Sequence, residues 1–154
     1  MRDVLPKRIA RIHGGLPATR GMSHPPKQPM FSPQLLEHFA NPRNAGVLDS
    51  PTVHVRVENP VCGDILELSA SVASGRIREI RFQARGCTAS IACGSATTVL
   101  LEGAEADRIS SVDPARIEAA VGGLETASKH AARLCADGVK ALRAAIARLE
   151  ESGP

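Results

Sequence analysis

The sequence predicts an α+β fold, in which a small three-stranded antiparallel β-sheet packs against helices and the chain ends in a long helix. Three segments, 52–58, 65–73 and 77–85, alternate apolar and polar residues as half-buried strands do. Turn residues separate these segments, so we expect an antiparallel meander. Beyond them, apolar residues recur at helical spacing, most clearly over 128–150. We expect these helices to cover one face of the sheet.

Capping residues and interruptions of the apolar periodicity predict the other helices and an irregularity in the third strand. Ser32 can cap a first short helix because its hydroxyl can accept a hydrogen bond from the first turn. Ile77 is out of phase with the rest of the third strand, which predicts a β-bulge near Arg78. A helix of mostly small residues is expected over 88–102, and a shorter helix should open after Asp113.

Charge divides the 154-residue chain into two parts. Residues 1–30 hold six Lys or Arg and one acid, and they show no periodicity, which predicts a disordered, basic, Pro-rich extension. Residues 31–154, the predicted folded domain, hold 13 basic and 15 acidic residues. The basic charge therefore lies outside the domain, which argues against a nucleic-acid surface. No apolar run is long enough to cross a membrane.

The extension has two interpretations. It is rich in Arg and poor in acids, as transit peptides are, which would direct the protein to the mitochondrial matrix. It lacks an amphipathic pattern, however, which favours a simple tail or a start at Met22 or Met30. In that case the protein is expected in the cytoplasm, a reducing compartment in which cysteines stay free.

The cysteines and one carboxylate suggest a metal site. Cys62 and Asp64 share a turn before the second strand, and Cys87 follows the third strand. A meander brings these two strand ends to the same edge of the sheet, and Cys135 lies on the apolar face of the last helix. We therefore predict that Cys62, Asp64, Cys87 and Cys135 converge on a soft metal, either zinc or an iron–sulfur cluster.

Plainer explanations stay open for each residue. Cys93 and Cys135 lie on helix faces where a thiol often serves as a small buried apolar group. Asp64 follows a glycine and would also suit an ordinary turn. His130 lies near the start of the last helix, where it is either a solvent-exposed residue or a neighbour of the site.

Three motifs stand in order along the chain: HFANPRNAG at 38–46, NPVCGD at 59–64 and GCTASIA at 86–92, and Cys135 follows them. In this order and spacing they resemble the iron–sulfur cluster assembly scaffolds of the NifU N-terminal and IscU type. The resemblance spans residues 31–149 and implies an α+β fold. It also implies that Cys62, Cys87 and Cys135 are thiolate ligands, that Asp64 keeps the cluster labile, and that Cys135 is the first acceptor of persulfide sulfur.

The chain departs from that pattern around the third cysteine. The best-known scaffolds have a histidine directly before it, whereas Leu134 precedes Cys135 here. They also have an LPPVK segment upstream for a dedicated chaperone, where this chain has 124–129. Cys93 stands where the family often has serine, so it is either an auxiliary sulfur ligand or a silent exchange. His130 is a candidate replacement for the missing histidine, and so a second auxiliary ligand.

The favoured function is a non-enzymatic scaffold. It would receive sulfur from a cysteine desulfurase together with Fe²⁺, carry a transient [2Fe–2S] cluster, and pass it to iron–sulfur acceptor or carrier proteins, as a monomer or a homodimer. The alternative is a related branch of zinc-binding sulfurtransferases that relay persulfide from the desulfurase. Its members have an arginine where Ala132 stands here. The third hypothesis is a structural domain whose cysteines only pack.

Overall fold

The computed structural model describes residues 30–153, and these adopt the predicted α+β fold. Apart from Met30, the predicted extension 1–30 lies outside the described residues, as does Pro154. Within this described range, three strands and four α-helices follow one another: α1 (Pro33–Ala40), β1 (Val53–Glu58), β2 (Ile65–Ala73), β3 (Arg76–Arg85), α2 (Thr88–Leu101), α3 (Pro114–Ala120) and α4 (Lys129–Glu151). Short 3-10 segments at Ala106–Ser111 and Thr126–Ser128 precede α3 and α4.

The sheet is the predicted antiparallel meander, with the strand order β1-β2-β3. Ile65, the first residue of β2, pairs with Glu58 on one side and Arg85 on the other. Pairing between β2 and β3 then skips Arg78, because Ser71 pairs with Glu79 and the next β2 residue pairs with Ile77. The predicted β-bulge is therefore confirmed.

Helix α2 and helix α4 cover the same face of the sheet at close range. Gly94 of α2 lies against the Phe82 ring, where an added Cβ would come within 2.6 Å of a ring carbon. Gly138 of α4 lies over β2, where an added Cβ would come within 2.8 Å of a Leu66 methyl carbon. The absence of a side chain at both positions lets the helix backbones approach the sheet closely.

The predicted caps fix the other two helices. The Ser32 hydroxyl accepts a hydrogen bond from the Leu35 N–H (2.9 Å) and donates one to the Val121 carbonyl. The Asp113 carboxylate accepts from the Arg116 N–H (2.9 Å) at the start of α3. Within residues 30–153, no helix combines the length and the apolar character that crossing a bilayer requires.

We predict that Gly94→Ala lowers the free energy of unfolding by about 1–2 kcal/mol, because overpacking against a rigid ring outweighs the gain in helix propensity. Urea unfolding followed by circular dichroism measures this change. Gly138→Ala is the matched control, because its new methyl would meet a Leu66 side-chain end that can rotate away, and its loss should be smaller. Equal or greater stability of Gly94→Ala than of the parent would contradict the close approach.

Candidate metal centre

The loop between β1 and β2 presents Cys62 to solvent. The Asn59 side chain accepts a hydrogen bond from the Val61 N–H (2.9 Å), and the Asn59 backbone carbonyl accepts one from the Gly63 N–H (2.7 Å). Gly63 has a φ of +79°, a left-handed conformation that favours glycine. The loop is thus tightly closed, with Val61 92% exposed at its tip and Cys62 exposed beside it.

Asp64 points inward from the same loop. It is only 8% exposed, because it lies opposite Gly86 just beyond the Ile65–Arg85 pair. A Cβ at Gly86 would lie 2.5–2.8 Å from the Asp64 carboxylate atoms, so glycine leaves the space that the carboxylate fills. Ser90, also buried, donates a hydrogen bond to Asp64 Oδ2 (2.6 Å).

Cys87 is the N-cap residue of α2 and is exposed. Its Sγ lies 3.4 Å from Ser90 Oγ and 3.8 Å from His130 Nε2. The first backbone N–H groups of a helix favour negative charge nearby, so this is a suitable place for a thiolate.

His130 completes the group from the first turn of α4. Its Nδ1–H donates to the Ala127 carbonyl (3.1 Å), so in the neutral ring Nε2 is the nitrogen that can bind a metal. Nε2 faces Asp64 Oδ2 at 3.6 Å as well as Cys87 Sγ. One ligand atom each from Cys62, Asp64 and His130 lie within 4.8 Å of one another. Two thiols, one carboxylate and one imidazole therefore meet at this edge.

The structure does not bring Cys135, the expected fourth ligand, into this group. Cys135 is fully buried, and burial raises the pKa of its thiol to about 12. The nearby Thr97 hydroxyl offsets part of that rise, although it has no hydrogen bond of ordinary geometry among the described residues. Cys93 is also fully buried, and burial together with the neighbouring Cys135 and Cys87 thiols raises its pKa further still.

The helical repeat explains why His130 joins this group of side chains and Cys135 does not. His130 and Cys135 are five residues apart, which places them about 140° apart around an α-helix. In the family pattern the histidine directly precedes the third cysteine. If that histidine is His130, the cysteine position falls on Ala131. Cys135 is one helical turn beyond Ala131, about 6 Å further along the axis. The usual His–Cys order was therefore the available signal that His130 belongs to the site.

Cys62, Asp64 and His130 form a group that could hold a metal ion, and the Cys87 thiol lies beside His130. Two sulfurs, one oxygen and one nitrogen are a donor set suited to zinc or iron. Cys62 and Cys87 are exposed, so the group is open to a partner protein on the solvent side.

Comparisons with known proteins agree with this architecture. The sequence model of the family described as NifU-like N terminal domain matches residues 30–152. The iron-sulfur cluster assembly scaffold protein IscU 1 of Archaeoglobus fulgidus is 37% identical over 117 residues, which cover 76% of this chain and 74% of that protein. The nitrogen fixation protein NifU of Cereibacter sphaeroides is 41% identical over 115 residues, or 75% of this chain and 46% of that protein.

A solved structure is similar in fold. The N-terminal part of a NifU-like protein from Brucella abortus matches with a TM-score of 0.65 over 80% of this chain and 96% of that one. Its sequence identity is 19%, so this similarity supports the fold alone.

We predict that a thiol reagent such as 5,5′-dithiobis(2-nitrobenzoate) modifies two cysteines rapidly in the folded protein. Cys62 and Cys87 are exposed, whereas Cys93 and Cys135 are buried with raised pKa values, so the latter two should react only on unfolding. Absorbance of the released thiolate counts them. The double variant Cys62→Ser/Cys87→Ser should lose the rapid phase entirely, and a rapid phase that persists in it would contradict the burial of Cys93 and Cys135.

Proposed function

Because this chain belongs to the family of NifU-like N-terminal domains, we propose that it is a scaffold on which an iron–sulfur cluster is assembled and from which it is released. The similar proteins from Archaeoglobus and Cereibacter, whose names refer to cluster assembly and nitrogen fixation, support this proposal. The observation that carries it is the open group of two exposed thiols beside a carboxylate and an imidazole.

In this proposal Cys62, Cys87, Asp64 and His130 hold the cargo, a transient [2Fe–2S] cluster. Thiolates are the usual iron ligands in such clusters, and imidazoles replace some of them in others. The oxygen of Asp64 is a harder ligand that exchanges more easily, which suits a cluster that must leave. The burial of Cys135 argues against the ligand role that the sequence suggested for it.

Sulfur would arrive on an exposed thiol. A thiolate of the scaffold attacks the outer sulfur of a persulfide on the desulfurase, which forms a new persulfide and frees the donor thiolate. Two electrons from a separate reductant then convert the transferred sulfur to sulfide. Cys62 and Cys87 are open to such an approach, whereas Cys135 is buried and its raised pKa keeps it protonated at neutral pH.

The donor set also favours a second candidate function. Two sulfurs, one oxygen and one nitrogen match the four ligands of a tetrahedral zinc site. In this case the protein would hold one zinc ion and relay persulfide sulfur from the desulfurase, without building a cluster.

Three kinds of partner follow from the proposal. A cysteine desulfurase supplies sulfur, an acceptor or carrier protein takes the cluster, and a second copy of this chain would be needed if two clusters combine. Free exposed thiols at Cys62 and Cys87 are consistent with a reducing compartment such as the cytoplasm.

Anaerobic reconstitution with Fe²⁺, cysteine, a desulfurase and dithiothreitol as the reductant tests the proposal. We predict that the parent protein gains visible absorbance with iron and sulfide in equal amounts. Cys62→Ser and His130→Ala should lose the cluster because each removes a ligand, whereas Cys135→Ala should keep it.

The alternatives give other results. One tight zinc ion and no colour would replace the scaffold by the sulfur relay, and binding of neither metal would leave cysteines that only pack. A folded Cys135→Ala variant that cannot hold the cluster would refute the ligand set.

A further inference from the structure

Ser90 lies between two of the proposed ligands without belonging to the ligand set itself. It is fully buried in the first turn of α2. Its Oγ lies 2.6 Å from Asp64 Oδ2 and 3.4 Å from Cys87 Sγ. The same hydroxyl therefore contacts the hardest ligand of the site and one of its two thiols.

A serine hydroxyl has one proton to donate, so the direction of each contact can be assigned. An ionised carboxylate only accepts, so Ser90 donates to Asp64, and the contact with Cys87 requires the thiol as donor. Once Cys87 binds metal as a thiolate, it has no proton to give. The Ser90 hydroxyl then faces two acceptors, the carboxylate and the metal-bound sulfur, and can satisfy only one.

Asp64 stays in place whichever acceptor the hydroxyl serves. Its carboxylate fills the space above Gly86, and the β2–β3 register fixes the backbone on both sides. The Ser90 proton therefore competes with the metal for Oδ2 but is not needed to position it. A carboxylate oxygen that accepts a hydrogen bond is a weaker metal donor, because part of its electron density is engaged.

We propose that Ser90 acts through Asp64: by donating its one proton to that carboxylate it weakens the hold of Asp64 on the cargo, and so speeds release. The role rests on the proposed scaffold function and extends it, because it identifies a residue outside the ligand set that sets the lability of the site. The same proton can instead be donated to the Cys87 sulfur, and the Asp64 oxygen is then free to bind the metal.

The first test uses Co²⁺ alone as the probe. Ser90→Ala should bind Co²⁺ about tenfold more tightly than the parent, which is the order expected when a competing hydrogen bond to a charged group is removed. Thr97→Val is the matched control, because it removes another buried hydroxyl of α2, one without a hydrogen-bond partner among the described residues. It should leave the affinity unchanged. Equal or weaker Co²⁺ binding by Ser90→Ala would overturn the role.

The second test measures transfer of a reconstituted cluster to an apo-ferredoxin. Ser90→Ala should accept the same iron and sulfide as the parent but release the cluster about tenfold more slowly, by the same loss of a competing hydrogen bond. Ser90→Thr keeps the hydroxyl and should transfer at the parent rate. In an Asp64→Ala background, adding Ser90→Ala should change the rate no further, and a further slowing there would mean that Ser90 acts by another route.

The two failures can be told apart. A parent protein that takes up no cluster overturns the scaffold function, while the Co²⁺ comparison still decides the role of Ser90. A parent that transfers its cluster at the same rate as Ser90→Ala overturns the role of Ser90 alone. If Ser90→Ala does not fold, Ser90→Val replaces it in the transfer assay, because it fills the space without a proton to donate and should also slow release; the isosteric Ser90→Thr is its control.

Discussion

The antiparallel register of β2 and β3 is the constraint on which the site depends. Pairing of Ile65 with Arg85 places Asp64 opposite Gly86 at the edge of the sheet. Because Gly86 has no side chain, the carboxylate can lie buried there and still reach the donors around it. A shift of one residue would turn every side chain of the strand to the other face. The aliphatic face of β2 that packs under α4 thus also fixes the geometry of the site.

The starts of α2 and α4 contribute Cys87 and His130 to the site, and glycines allow both helices to pack closely on the sheet. Gly94 and Gly138 allow α2 and α4 to lie close on the sheet, so Cys87 and His130 start their helices at the edge where the β1–β2 loop ends. Further along the same helices, the facing positions are filled by small buried groups, including Cys93 and Cys135. The two pairs of cysteines therefore differ in depth: one pair lies at the surface and the other lies in the core.

The candidate ligands differ in how firmly the fold holds them. Asp64 is packed and hydrogen-bonded, His130 is oriented by the Ala127 carbonyl, and Cys62 projects from an exposed loop. A buried, fully closed set of four thiolates would hold a metal permanently. Mixed donors that remain open on one side suit a cargo that arrives and leaves, and the contacts of Ser90 are suited to adjusting that balance.

The sequence by itself determined the meander, the bulge at Arg78, the caps at Ser32 and Asp113, and the proximity of Cys62, Asp64 and Cys87. All of these follow from local periodicity, turn chemistry and the antiparallel path of neighbouring strands. It did not determine which residue of α4 faces that edge, because one helical turn separates Ala131 from Cys135 and both lie on its buried face. Only the packing of α4 against α2 and the sheet decided this, since the depth of a residue along a helix depends on where that helix begins relative to its neighbours. That position brings His130 to the candidate metal centre and leaves Cys135 in the core.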